Sequence, residues 1–103
     1  MESFGSYIKR LRLQKGLNQT ELAALVGLDS GGLSKIENNK KTVNQIKLKL
    51  FAKALNIDEE EIKKQYLSEK FAKECSKYNV SNEVFFLAEE KTIYYKTKNS
   101  KIK

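Results

Sequence analysis

Residues 19–36, QTELAALVGLDSGGLSKI, decide the fold, because they have the pattern of two short helices joined by a tight turn. The apolar residues of the stretch are placed to face one core; they are Leu22, Val26, Leu28, Leu33 and Ile36. Ala23 is small where the second helix would cross the first. Gly27 stands where the chain must reverse with a positive φ angle, which glycine adopts without steric cost. The stretch therefore predicts two helices packed closely together.

The sequence on both sides of this stretch continues the helical pattern. Asn18 and Glu21 form a capping-box pattern, and so do Thr42 and Gln45. Asp29 is a suitable N-cap, and Asn39 tolerates the left-handed conformation that often follows a helix. The predicted helices are Ser3 to Lys15, Asn18 to Val26, Ser30 to about Asn38, Thr42 to Leu55, Asp58 to Tyr78, and a sixth from Ser81 or Asn82 to about Lys96. Ile46 is expected in the buried set of the fourth helix, with Leu48, Phe51, Ala52 and Leu55.

Composition limits the functions that the chain can have. The 103 residues carry a net charge of +7 and a pI of about 9.5, which favours a polyanionic partner. No histidine is present and Cys75 is the single cysteine, so an intramolecular disulfide and a Cys/His zinc site are excluded. We predict no metal, no cofactor and no enzymatic activity. No stretch is long and apolar enough for a membrane span, and a cytoplasmic location is expected.

Residues 4–57 resemble the XRE family, the phage repressor and Cro-like helix-turn-helix regulators of bacteria. The resemblance is carried by Arg12, LNQTELA at 17–23, Gly27, Leu33, Ile36-Glu37-Asn38 and LFAKALNI at 50–57. It implies an all-α fold: a five-helix repressor-like DNA-binding bundle with a C-terminal helical hairpin extension. It also implies a protein that is usually dimeric and binds palindromic operators in double-stranded DNA. Residues 1–57 would be the helix-turn-helix DNA-binding domain.

The resemblance assigns roles residue by residue. The base-contacting positions of the recognition helix are Ser30, Gly31, Ser34 and Lys35. The phosphate-contacting positions are Asn18, Gln19, Asn38, Lys40 and Lys41. Arg12 and Glu37 match a structural pair that ties the first helix to the end of the third. Elementary chemistry agrees, because a helix fits the major groove, helix N-termini attract phosphate, and loop lysines neutralise backbone charge.

Two of the departures from the family pattern bear on function. Gly31 and Gly32 occupy the first turn of the recognition helix, where larger polar residues are usual. Each glycine costs about 1 kcal/mol of helix propensity relative to alanine and removes a side chain that could contact a base. Leu25 stands where the family commonly has an exposed polar residue. It would be covered either by the C-terminal hairpin or by a partner.

Residues 58–96 form the predicted helical extension, and their role is expected to be dimerisation or binding of an effector protein. The residues predicted for dimer or hairpin packing are Leu67, Phe71, Cys75, Tyr78, Val84 and Leu87. Cys75 lies on the apolar stripe and is expected to be a small buried residue. Residues 97–103 are rich in lysine and are predicted to be a basic, flexible tail.

Two functions remain in competition at this point. The first is a sequence-specific transcriptional regulator, a homodimer that binds a palindromic operator through the major groove. The alternative is a protein-interaction module with the same fold, such as an antitoxin or a coactivator, with weak or no sequence-specific contact with DNA. The two glycines in the recognition helix are the reason for keeping the alternative.

Overall fold

Every regular element of the protein is an α-helix in the part of the chain that the computed structural model describes, namely the backbone of residues 1–102 and the side chains of residues 1–99. The helices are α1 (Phe4–Gln14), α2 (Gln19–Leu25), α3 (Ser30–Glu37), α4 (Gln45–Leu55), α5 (Glu59–Ser76) and α6 (Glu83–Ile102). The predicted all-α fold is confirmed. None of these helices is both long and apolar enough to cross a membrane.

The first four helices each begin at a polar N-cap residue. The Asn18–Glu21 capping box is present as predicted, with the Glu21 amide 2.8 Å from Asn18 Oδ1 and the Asn18 amide 2.9 Å from Glu21 Oε1. The predicted Thr42–Gln45 capping box is wrong. Asn44 is the cap instead, because its Oδ1 accepts the Lys47 amide at 2.8 Å and α4 begins only at Gln45.

The same four helices end in one type of turn, in which the first or second residue after the helix adopts a left-handed conformation. These residues are Gly16, Gly27, Asn39 and Asn56, with φ between 54° and 72°. At the end of α2, the Leu28 amide donates to the Ala23 carbonyl at 2.8 Å and the Gly27 amide donates to the Ala24 carbonyl at 3.4 Å. This pair of bonds is a Schellman motif, which satisfies carbonyls that the helix leaves unpaired. The reversal predicted at Gly27 is thereby explained.

The apolar core lies entirely between Phe4 and Ile62. Its members are Phe4, Tyr7, Ile8, Leu22, Ala23, Val26, Leu33, Ile36, Val43, Leu48, Phe51, Ala52, Leu55 and Ile62. The prediction for Ile46 is wrong, since its side chain is 71% exposed. Ile46 precedes Leu48 by two residues, about 200° around the helix, and so lies on the face of α4 that points away from the core.

The chain divides into two compact units, Met1–Phe71 and Ala72–Lys103. The sequence placed a boundary at residue 57, whereas the first unit includes most of α5. Ile62 is the physical reason, because it is fully buried in the core. Farther along α5, the Tyr66 ring packs edge-on against Phe4 at a centroid distance of 5.0 Å.

The second unit contains the end of α5, a turn and α6. Among its described side chains none is buried, and Cys75, expected to be buried, is only partly so. α5 ends at Ser76 rather than at Tyr78. The backbone is helical to Ile102, so residues 97–102 continue α6 where a flexible tail was predicted; the segment has no glycine or proline to end a helix. The last residue of that predicted tail lies outside the described part.

Candidate nucleic-acid interface

The interface begins with a cluster of three polar side chains under the start of α2. Arg12 and Glu37 form a two-pronged ion pair, with Nε 2.7 Å from Oε2 and Nη2 3.1 Å from Oε1. The pair is almost completely buried, its side chains being 7% and 2% exposed. Arg12 Nη1 also donates to the Leu17 carbonyl at 2.9 Å. These bonds join the end of α1, the turn that follows it and the end of α3.

Gln19 belongs to the same cluster. Its Nε2 donates to Glu37 Oε1 at 3.0 Å, and the residue is partly buried. The resemblance assigns Gln19 to a phosphate, and no pattern in the sequence indicates its bond to Glu37. A primary amide has two N–H donors, so one hydrogen of Nε2 remains after the bond to Glu37. Glu37 therefore fixes the direction in which Gln19 offers its remaining donor.

The outer face of α3 carries the predicted base-contacting residues. Leu33, Ile36 and Glu37 are buried on the inner face, whereas Ser30, Gly31 and Lys35 are exposed on the outer face and Ser34 is partly exposed. Gly31, Ser34, Lys35 and Asn38 follow at i, i+3, i+4 and i+7 and so form one stripe along the helix. Ser30 precedes Ser34 by one turn and adjoins this stripe, so the four predicted base-contacting residues share one surface.

The two glycines of α3 have different surroundings. Asp29 caps the helix by accepting the Gly32 amide on Oδ1 at 2.6 Å. A Cβ atom added at Gly32 would lie 3.1 Å from that oxygen, which is a tight contact. A Cβ atom at Gly31 would meet the same oxygen only at 3.7 Å, an ordinary distance. The fold therefore favours a glycine at 32 and leaves room for a side chain at 31.

The loop after α3 presents two adjacent lysines. The Lys40 amide donates to the Lys35 carbonyl at 2.8 Å and the Asn39 amide donates to the Ile36 carbonyl at 3.0 Å, which fixes the start of the loop against the helix end. Lys40 and Lys41 are exposed, and neither has an ion-pair partner among residues 1–99. Two positive charges are thus held next to the stripe on α3. Asn38, the C-cap of α3, donates from Nδ2 to the Ser34 carbonyl at 2.8 Å.

Comparison with known proteins matches this arrangement to one family. A family model described as helix-turn-helix covers residues 8–62, which is more than half of the chain. The protein belongs to the helix-turn-helix family. The family is XRE-like and consists of DNA-binding transcriptional regulators, which are not enzymes.

Two relatives share appreciable sequence with this helix-turn-helix protein. The transcriptional repressor RghR of Bacillus subtilis is 40% identical over 58 residues, which are 55% of this chain and 43% of RghR. The matched segment thus spans less than half of the length of that relative. The restriction-modification controller protein C.AhdI of Aeromonas hydrophila is 36% identical, with a TM-score of 0.54 over 57% of this chain and 86% of its own.

Two further solved structures show the same fold at lower identity. The P22 c2 repressor in complex with a synthetic operator is 22% identical, with a TM-score of 0.56 over 60% of this chain and 94% of its own. SinR, solved in the SinR/SinI complex, covers 91% of this chain and 98% of the matched chain, with a TM-score of 0.55 at 23% identity. At these identities the likeness concerns the fold alone.

One lysine of the helix-turn-helix had no functional signal in the sequence. Lys47 in α4 donates from Nζ to the carbonyls of Val26 (2.5 Å) and Gly27 (3.1 Å). It therefore ties α4 to the turn between α2 and α3 and satisfies carbonyls at the end of α2. A lysine in the first turn of a helix looks like any exposed lysine, so no local pattern could have identified this role.

The residues predicted for dimer or hairpin packing are not assembled into a core by the described part of the chain. Cys75 and Val84 are partly buried, and the others are exposed, namely Leu67, Phe71, Tyr78 and Leu87. Leu25 on α2 is also 56% exposed. Cover of Leu25 by the C-terminal hairpin or by a partner stays a prediction.

Proposed function

We propose that the protein is a sequence-specific DNA-binding transcriptional regulator that binds a palindromic operator as a homodimer. The observation that supports this proposal best is the outer stripe of α3 beside Lys40 and Lys41. An exposed helix of this diameter fits the major groove, and the flanking lysines match the phosphates along the groove edge. RghR is by name a transcriptional repressor and C.AhdI a restriction-modification controller protein, which supports a regulatory role for this chain.

In this proposal α3 lies in the major groove. Ser30, Ser34 and Lys35 contact base edges, and Gly31 lets the backbone approach the DNA closely. The phosphate contacts come from both sides of the helix-turn-helix, through Asn18, Gln19, Asn38, Lys40 and Lys41. Since each phosphate that is neutralised releases counterions, the affinity falls as salt rises.

The homodimer would be formed by the C-terminal extension, residues 58–96, through exposed apolar side chains such as Leu87. A two-fold symmetric dimer places its two recognition helices about 34 Å apart, one turn of B-DNA. Successive halves of the operator would therefore be related by the same two-fold axis. The alternative role of the same extension is to bind an effector protein.

The alternative is an interaction module that keeps the fold without sequence-specific contact with bases. Gly31 is the observation that favours it, because this position has room for a side chain and carries none. A surface with so few base-reading groups binds DNA mainly through phosphates and through DNA shape. Such a module would bind all duplexes of equal shape with similar affinity.

Two single substitutions, each of which removes one positive charge, distinguish these functions. Lys35→Ala is expected to cost about 1–3 kcal/mol on the selected site and to relax base preference at one position. Lys40→Ala is expected to weaken binding to all sequences similarly and to reduce the salt slope by about one. Both are measured by binding titrations on a panel of single-base variants of a duplex selected from a random pool. An unchanged base preference in Lys35→Ala would refute the role given to α3.

A further inference from the structure

The lysine-bearing loop is fixed at its start by the side chain of Asn39. Asn39 adopts the left-handed conformation with φ of 60°, and its amide group bridges two residues at the beginning of α1. Its Oδ1 accepts the Gly5 amide at 2.9 Å, and its Nδ2 donates to Ser3 Oγ at 2.9 Å. The sequence explained Asn39 only by its backbone conformation, and these side-chain bonds give it a second role.

The end of the loop is fixed by α5. The Val43 amide donates to the Tyr66 hydroxyl at 3.2 Å, and the Val43 side chain is buried in the core. The Tyr66 ring packs edge-on against Phe4. Glu69, one turn farther along α5, accepts the Phe4 amide on both carboxylate oxygens at 3.1 Å. Tyr66 and Glu69 thus hold the start of α1 and the end of the loop in one place.

Lys40, Lys41 and Thr42 lie between these two anchors and are exposed. A loop that is held at both ends loses less conformational freedom when its side chains bind phosphate, because part of that freedom is already lost in the free protein. None of the anchoring groups needs to touch DNA for this effect. Their bonds join residues that are 23, 34, 36 and 65 positions apart in the sequence.

We infer that Tyr66, Asn39 and Glu69 are positioning residues for phosphate binding by Lys40 and Lys41. This inference rests on the proposed function, since it assumes that the two lysines contact DNA. It assigns the first part of α5 to the DNA-binding apparatus rather than to the extension. Its consequence is that loss of an anchor weakens DNA binding through these lysines and through no other contact.

A double-mutant cycle on the full chain tests the inference. Tyr66→Phe removes one hydroxyl and keeps the ring, and we expect it to weaken binding to selected and random duplexes alike, by about three- to tenfold. The salt slope should stay close to the wild-type value, since the same phosphates are neutralised at a larger entropic cost. In a Lys40→Ala/Lys41→Ala background, the same Tyr66→Phe change should have no further effect on the affinity.

A second variant and a control keep the outcome interpretable. Asn39→Gly keeps the left-handed backbone but removes both side-chain bonds, and it should show the same dependence on the two lysines. Ser68→Ala removes an exposed hydroxyl on the same helix and should bind like the wild type, with circular dichroism confirming the fold of every variant.

Three results would overturn the inference. Wild-type affinity in Tyr66→Phe refutes it alone, and so does an equal loss of affinity with and without the lysines, which indicates a general effect on the fold. If the wild-type protein binds no duplex, the proposed function fails and the inference fails with it.

Discussion

The bundle of Met1–Phe71 and the segment Ala72–Lys103 differ in what surrounds their apolar side chains. The bundle buries fourteen apolar residues in one core, and its buried ion pair, Arg12–Glu37, joins α1 to α3. In the second unit no described side chain is buried, and even the large apolar residues Phe86, Leu87 and Tyr94 are 69%, 51% and 59% exposed. The bundle is complete within one chain, whereas the apolar groups of α6 have surface left for a second molecule.

The two units also differ in how their apolar residues are spaced. In α4 the buried residues Leu48, Phe51, Ala52 and Leu55 follow at i, i+3, i+4 and i+7, which gives a single face. In α6, Phe86 and Leu87 are adjacent and therefore lie about 100° apart around the helix. They belong to the run of four apolar residues at 84–87, which spans about 300° around the helix, so the apolar residues of α6 form no single face.

The largest effect is expected from breaking the buried ion pair of the bundle. Arg12→Ala leaves the carboxylate of Glu37 buried with only the Gln19 amide to bond it, and we expect a loss of about 3–5 kcal/mol in the free energy of unfolding. Urea unfolding followed by circular dichroism measures it. A loss below about 1 kcal/mol would show that the pair is far less buried than its geometry indicates.

The next largest effect on stability is expected at a buried leucine of the bundle, and a leucine of the second unit is its comparison. Leu22→Ala leaves a cavity in the core and should lower the free energy of unfolding by about 2–5 kcal/mol. Leu87→Ala, measured at a concentration where the chain is monomeric, should change it by less than about 0.5 kcal/mol. Similar losses for the two variants would mean that α6 is packed as firmly as the bundle, and the contrast between the units would be lost.

Dimer formation gives a third way to separate the units. Leu87→Asp puts a charge among the apolar residues that we assign to the dimer, and it should weaken the dimerisation constant at least about a hundredfold. Thr92→Asp adds the same charge five residues along α6, about 140° around the helix, and should leave dimerisation nearly unchanged. Sedimentation equilibrium measures both; a Leu87→Asp chain that stays as dimeric as the wild type contradicts the assignment.

The smallest effects come from two glycines of the bundle. A Cβ at Gly5 would lie 2.6 Å from the Ile36 carbonyl oxygen, so Gly5→Ala should cost about 1–3 kcal/mol of stability. A Cβ at Gly31 would make only an ordinary contact with Asp29 Oδ1, at 3.7 Å, so Gly31→Ala should raise stability by up to about 1 kcal/mol. Thermal unfolding compares the two. A destabilising Gly31→Ala would mean that the first turn of α3 needs its glycine.

The fold could be predicted from the sequence because its determinants are local. Ala23, Gly27 and the apolar spacing around them specify the paired helices, and the Asn18–Glu21 capping box lies within one turn. The errors are local as well: Thr42 and Asn44 are both good caps, and spacing alone did not decide between them. Ile46 was assigned to the core because it is apolar, although its angle around α4 placed it outside.

The candidate site could be predicted only in part. The positions of Lys35, Lys40 and Lys41 follow from the order of the helices, so their shared surface was foreseen. The bonds of Lys47, Asn39 and Tyr66 were not, because each joins segments that are far apart in the sequence. Such contacts depend on how the helices pack, and no spacing rule encodes them.

The ratio of two affinities tests the central claim most directly. A duplex selected from a random pool and a random duplex of equal length would be titrated with the full chain at physiological salt. We predict that the selected duplex is palindromic and is bound at least about 10³-fold more tightly than the random one. Equal binding of both duplexes, or binding of neither, would contradict it.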